Sequence, residues 1–311
     1  MTLFSSEDGQ KLASCSICAN VRGLREHLVE LGRAAELLDN RSTYSSEHGA
    51  ATITTVSIGK WLTLASGLER VYIDTWKYSG EAGLYCEPVA NSLDEHSKHY
   101  SNHATALTLF MFVCNALEEA YRFIDHLYLP LAQVRKIPRD QLKRTASLRA
   151  GEILDDLFRR QGDDVLPPNF DHLTGNFISL FRSFEQAHKS SSGKVGKISP
   201  VVNKTYALDL IRKLRNYVAH GTFPIGPPVD YGGYADSELL LQLLKHGCRT
   251  AVIYMQIILY GYCSEFQSDD YRMMEGANGP EFELFIKNCN LNYVKNLHLR
   301  SEFSLHNCLD I

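Results

Sequence analysis

Leu107, Phe110, Cys114, Leu117, Tyr121, Ile124 and Tyr128 recur at three- and four-residue intervals and form one apolar stripe. That spacing places all seven on one face of an α-helix about six turns long. A face of that length needs several partners, and the chain supplies helical patterns to cover it. Leu24, Leu28, Leu31, Ala35 and Leu38 mark one. Ile153, Leu154, Leu157 and Phe158 fall in another, over about Gln141–Arg160. Leu173, Phe177, Leu180, Phe181 and Phe184 mark a third, with Asp171 as the expected N-cap. Two more span about Asn203–His220 and Asp236–Tyr262. Pro130 is expected to end the long helix.

Residues 41–90 read differently. Ala51–Ile58 and Val71–Trp76 are rich in β-branched and aromatic residues and predict strands, and Gly80, Gly83 and Pro88 then punctuate the chain. Periodicity does not decide between strand and irregular helix over Glu281–Leu299. The expected architecture is mainly α, an antiparallel helical bundle at 93–265. A smaller mixed α/β lobe at 1–92 would dock partners or regulate, and 266–311 would form a C-terminal extension.

With 311 residues, 44% apolar and 22% charged, the chain is neither disordered nor a disulfide miniprotein. Its most apolar runs, Leu107–Leu117 and Ala251–Leu259, fall short of the roughly 18 residues a membrane span needs. The opening MTLFSSEDGQ lacks the apolar run of a secretory signal. The eight cysteines are scattered, with Cys114 and Cys263 inside apolar helical patterns. A reduced, cytoplasmic protein is the expectation.

The helix ending Leu214-Arg215-Asn216-Tyr217-Val218-Ala219-His220-Gly221 carries the most chemistry. On a helical wheel Ala207, Leu210, Ile211, Leu214 and Val218 define the core face, and Arg215 and His220 lie about 85° and 135° from its centre on opposite sides. Asn216 falls between them, and Gly221 is a natural left-handed stop. Between Lys189 and His220 seven bases (Lys189, Lys194, Lys197, Lys204, Arg212, Lys213, Arg215) face one acid, Asp209, in a chain of net charge −4. Such a concentration suits a phosphate backbone.

Arg215-Asn216-x-x-x-His220, late in a bundle, with apolar residues around it and glycine after, resembles the Arg-x(4–6)-His motif of the HEPN superfamily. The resemblance covers about 95–265. The bare spacing also occurs at Arg22–His27, Arg41–His48, Arg182–His188 and Arg300–His306. Asn216, helix phase, Gly221 and the surrounding bases single out Arg215–His220, and Arg182–His188 is the next candidate. The resemblance implies a metal-independent endoribonuclease, a toxin or antiviral-defence effector, working as a homodimer or in a larger defence complex. His220 would exchange the proton, Arg215 would hold the phosphate, and Asn216 would orient one of them. Glu118 and Glu119 could line the cleft, but a solvated face with Arg122 and Asp125 is the preferred reading. Tyr217 could stack on a base or close the edge of the core. The alternative class is a non-catalytic helical module binding RNA or protein through the same face.

Two further clusters read as structural. Cys15-Ser-Ile-Cys18 could be half a zinc site or a redox pair, but there is no second CxxC, and His27 fits the usual partner spacing poorly. His96, His99 and His103 read as a polar helix start. No metal and no cofactor is expected.

Overall fold

The computed structural model describes residues 15–46, 49–80, 86–137, 144–188, 203–226, 228, 234–266, 283–284 and 287–305. In chain order its elements are α1 (Ser16–Ala19), α2 (Leu24–Leu38), β1 (Arg41–Ser46), β2 (Gly49–Thr54), α3 (Thr55–Gly67), α4 (Glu87–Ile124), α5 (Tyr128–Val134), α6 (Ala146–Gln161), α7 (Phe170–Ala187), α8 (Tyr206–Ala219), α9 (Tyr234–Tyr262) and α10 (Leu291–Asn296). The fold is mainly helical, with one two-stranded antiparallel sheet among the described residues, in which Arg41 faces Thr54. None of the described helices is long and apolar enough to cross a membrane.

At the centre lies α9. Every residue from Ala251 to Leu259 is 0% exposed, so this run is apolar because it is enclosed on all sides. Gly247 marks where three helices meet α9. A Cβ there would lie 3.1 Å from Phe110 on α4, 3.2 Å from Leu214 on α8 and 3.4 Å from Phe177 on α7. Two turns on, the Tyr254 hydroxyl donates to the Lys204 carbonyl, just before α8, and the ring meets Phe170 of α7 edge-on at 5.7 Å. Thus α7 and α8 both run opposite to α9 and parallel to one another. By contrast, α4 runs with α9, since His103 meets Ser237 at 2.8 Å and Phe110 lies beside Gly247. The bundle therefore does not alternate strictly as expected. Residues 189–202 join the end of α7 to the start of its parallel neighbour.

Several local expectations are corrected. Pro130 does not end a helix; it sits in the first turn of α5, where its missing N–H costs nothing. Asp171 is not the N-cap of α7, which is Asn169 in a left-handed conformation at φ 62°. The β-branched run from Ala51 splits at Thr54. That side chain accepts the Ser57 N–H at 3.3 Å and starts α3, whose Ile58, Leu62 and Ala65 are buried. In α3, Gly59 touches α2 so closely that a Cβ would fall 2.7 Å from the Gly32 carbonyl.

Val71–Asp74 pairs with no strand among the described residues, and Thr75 and Trp76 turn into a short 3-10 helix, Trp76–Tyr78. The segment lies along α4 instead. The N–H groups of Val71, Ile73 and Thr75 donate to Thr105 Oγ1, Ser101 Oγ and Ser97 Oγ at 2.9, 2.9 and 3.1 Å. The match is geometric, because two extended residues advance about 6.6 Å and four helical residues about 6 Å. The histidines of the same helix are not a solvated start. His103 is buried, and His99 Nε2 donates to the Gly226 carbonyl at 2.7 Å. Over Glu281–Leu299 the described structure is helical residues at 283–284 and 287–288, the short α10, and an isolated bridge from Leu299 to Val21.

A buried polar chain ties both ends of the described chain to α9. Arg249 donates to the Arg22 carbonyl at 2.6 Å and to His27 Nδ1 at 2.9 Å. His27 must therefore carry its proton on Nε2, which donates to Gln256 Oε1 at 2.9 Å. Gln256 Nε2 in turn donates to the Lys295 carbonyl and to His298 Nδ1, and His298 Nε2 donates to the Pro168 carbonyl at 2.8 Å. Both imidazoles are held neutral. Burial lowers His27 well below its ordinary value, helped by Arg249, and lowers His298 to about 4. Burial and nearby His99 lower His103 to about 4 as well. The unfolded chain takes up these protons from about pH 6.5 downward and the folded one does not. Stability should hold above that pH and fall between about 6.5 and 4, by up to about 1.4 kcal/mol per pH unit for each histidine. Urea midpoints at pH 7.5, 6 and 5 test this. A flat profile would contradict it, and His298→Gln should make the decline shallower.

Candidate nucleic-acid site at the end of α8

The core face of α8 is Ala207, Leu208, Leu210, Ile211 and Leu214, all buried. Arg215 leaves this face beside α4. Its Nη1 lies 3.5 Å from Glu118 Oε1, with the side chains 36% and 23% exposed. Its Nε is buried with no hydrogen-bond partner among the described residues. The guanidinium thus makes one long ion pair, and its fork is only partly used. Glu119 turns away to Arg122 at 2.7 Å. Asp125 is buried and receives Arg149 through both oxygens, at 2.7 and 2.9 Å. Cys114, one turn before Glu118, is no nucleophile at neutral pH, because burial raises its thiol well above the ordinary value.

Asn216 and His220 are exposed. A helix-ending turn fixes the position of His220. The Gly221 N–H donates to the Val218 carbonyl at 3.1 Å, the Thr222 N–H to the Tyr217 carbonyl at 2.9 Å, and Gly221 is left-handed at φ 66°. These are the two bonds of a Schellman motif, with His220 as the C-cap. Tyr217 closes the edge of the core. Its ring lies 6.5 Å from Phe181 and 5.9 Å from Phe184. That aromatic group joins the ends of α7 and α8.

Among the rival motifs, His188 and the Arg22–His27 pair are engaged elsewhere. His188 stacks on Phe184 at 4.9 Å and bonds the Phe184 carbonyl through Nδ1, while Arg182 Nε is buried and unpartnered among the described residues. Arg22 and His27 belong to the buried polar chain. His48 and His306 lie outside the described residues.

Acids from elsewhere offset much of the basic charge. Lys204 reaches Asp171 at 2.8 Å and Asp163 at 3.7 Å, and Arg212 reaches Asp209 at 3.3 Å. Lys213 is exposed, and Lys189, Lys194 and Lys197 lie outside the described residues. A count along the sequence misses Asp163, Asp171 and Glu118, which tertiary packing brings in. A cleft of about 300 Å³ lies between the first half of α8 and α6, away from His220. Arg144 and Arg212 line it together with Glu152, Asp155 and Asp209, so it is poorly suited to a polyanion.

Comparison with family models, curated proteins and solved structures gives no match for this chain. Its chemistry has to be read from its own residues.

Because nothing lies within 4 Å of a Cβ added at Gly221, substitution there meets only backbone strain. Gly221→Ala should cost about 1–2 kcal/mol and lower the melting temperature by a few degrees. An unchanged melting temperature would show that the turn does not fix His220.

Proposed function

We propose that the chain is a metal-independent endoribonuclease of HEPN type, acting inside the cell as a toxin or antiviral-defence effector. The observation that supports this most is the partly engaged Arg215 fork on the same exposed helix end as Asn216 and His220. A phosphate arriving there would compete with the Glu118 carboxylate for the exposed part of the Arg215 guanidinium. An RNA 2′-oxygen attacks its own phosphorus, the O2′–P bond forms and the P–O5′ bond breaks. The His220 imidazole can remove the 2′ proton or protonate the leaving 5′-oxygen. Arg215 offsets charge on the phosphoryl oxygens. Each step needs an acid and a base, and a second copy of α8 in a homodimer would supply the other imidazole.

The Glu118 pair, which already engages the Arg215 guanidinium, favours the second reading, a non-catalytic helical module that binds RNA or protein through this face. Cleavage of labelled RNA in buffer free of divalent cations separates the two. Wild-type protein should give 2′,3′-cyclic phosphate and 5′-hydroxyl ends. His220→Gln, an exposed change, should slow cleavage by about a hundredfold or more while RNA retention persists. Retention without cleavage by wild type would establish the binding module, and equal cleavage by His220→Gln would remove His220 from the mechanism.

A further inference from the structure

The Cys15–Cys18 pair lies at α1, and the fold sets His172, in the first turn of α7, directly against it. Cys18 Sγ is 3.3 Å and Cys15 Sγ 3.6 Å from the same atom, His172 Nε2. All three ligand atoms fall within 4.8 Å of one another, and all three residues are half-buried. Asn176, one turn along α7, brings its amide nitrogen to 3.4 Å from that Nε2. Three donor groups, two thiols and one amide, thus converge on a nitrogen with a single lone pair. As a hydrogen-bonding arrangement this is redundant, since only one donor can be served well.

One cation resolves the conflict. With Zn–S near 2.3 Å and Zn–N near 2.0–2.1 Å, a tetrahedral centre requires sulfur and nitrogen ligands about 3.6 Å apart. The two observed sulfur-to-nitrogen separations lie within a few tenths of an ångström of that spacing. A simple redox pair explains less, because a Cys15–Cys18 disulfide would give His172 no part in the cluster. Two thiolates and an imidazole form a soft to borderline donor set, which selects zinc over magnesium or calcium.

We propose that Cys15, Cys18 and His172 form a zinc(II) site. Zinc binds the two sulfurs and Nε2, and the two thiol protons pass to solvent. A water molecule takes the fourth position, beside the Asn176 amide. The ion fastens the segment before α2 to the start of α7, a link that spans more than 150 residues of sequence. The site is separate from the ribonuclease reading, since His172 and the far end of α7 are about 22 Å apart along the helix axis.

The test uses the full-length, reduced protein, purified without metal and titrated with cobalt(II) and then zinc(II). Wild type should take up one equivalent of cobalt per chain. It should show the intense visible bands of a tetrahedral centre and a thiolate-to-cobalt charge-transfer band, and zinc should displace both. Cys18→Ser should lose the bands. His172→Gln, which keeps both thiols and changes a half-buried side chain, should weaken cobalt and zinc binding by at least tenfold with its helical circular dichroism intact. His220→Gln should bind metal like wild type. Absence of the bands in reduced wild type would overturn the site. So would titrations indistinguishable between wild type and His172→Gln, or recovery of the pair only as a Cys15–Cys18 disulfide that takes up no metal.

Discussion

The enclosure of the Ala251–Leu259 run of α9 governs the rest of the molecule. A helix buried on every side can present only apolar surface or polar groups whose partners come from the elements around it. Both conditions are met by identifiable residues. Gly247 lets the side chains of α4, α7 and α8 reach the α9 backbone at one level, where any larger residue would press on Phe110 and Leu214. Gln256, 0% exposed, has its amide satisfied by His27, His298 and the Lys295 carbonyl. Burying one unsatisfied amide costs about 1–3 kcal/mol, so the segments before α2 and around α10 are bound to α9 by polar need as well as by packing.

Much of the helical framework was legible. Amphipathic period marked α2, α4, α6, α7 and α8, since each has one face the others must cover, and α9 was read as a helix over Asp236–Tyr262. Gly221 was legible as a stop because a left-handed residue after an apolar-periodic run has few other uses. Less legible was anything decided by partners distant in sequence. Val71–Trp76 has the composition of a strand, yet its N–H groups are met by hydroxyls of α4, which no local pattern announces. Thr54 ends β2 as its propensity suggests, and its capping bond to Ser57 then begins a helix directly after it. The relative direction of α7 and α8 was hidden for the same reason, because period fixes which face is buried but not which way a helix runs.

Legibility of the chemistry obeyed a similar rule. Arg215, Asn216 and His220 could be grouped because one helix carries all three. Glu118 could be named as a neighbour, but its pairing with Arg215 depends on how α4 crosses α8. The positive charge near α8 was overcounted for want of Asp163 and Asp171, which packing supplies. His172 was missed altogether. It lies 154 residues from Cys18, and the only sequence signal was the unpaired CxxC itself.

What sets a cleaving edge apart from a merely cationic one is whether Arg215 exchanges its carboxylate partner for a phosphate next to His220. Nuclear magnetic resonance of arginine- and histidine-labelled protein, titrated with a 2′-O-methyl dinucleotide that cannot be cut, reads this exchange. The Arg215 guanidinium and His220 ring signals should shift together and saturate at one dinucleotide per site. Shifts confined to Arg144 and Arg212 in the α6–α8 cleft, or an Arg215 signal that never moves, would contradict the proposed chemistry.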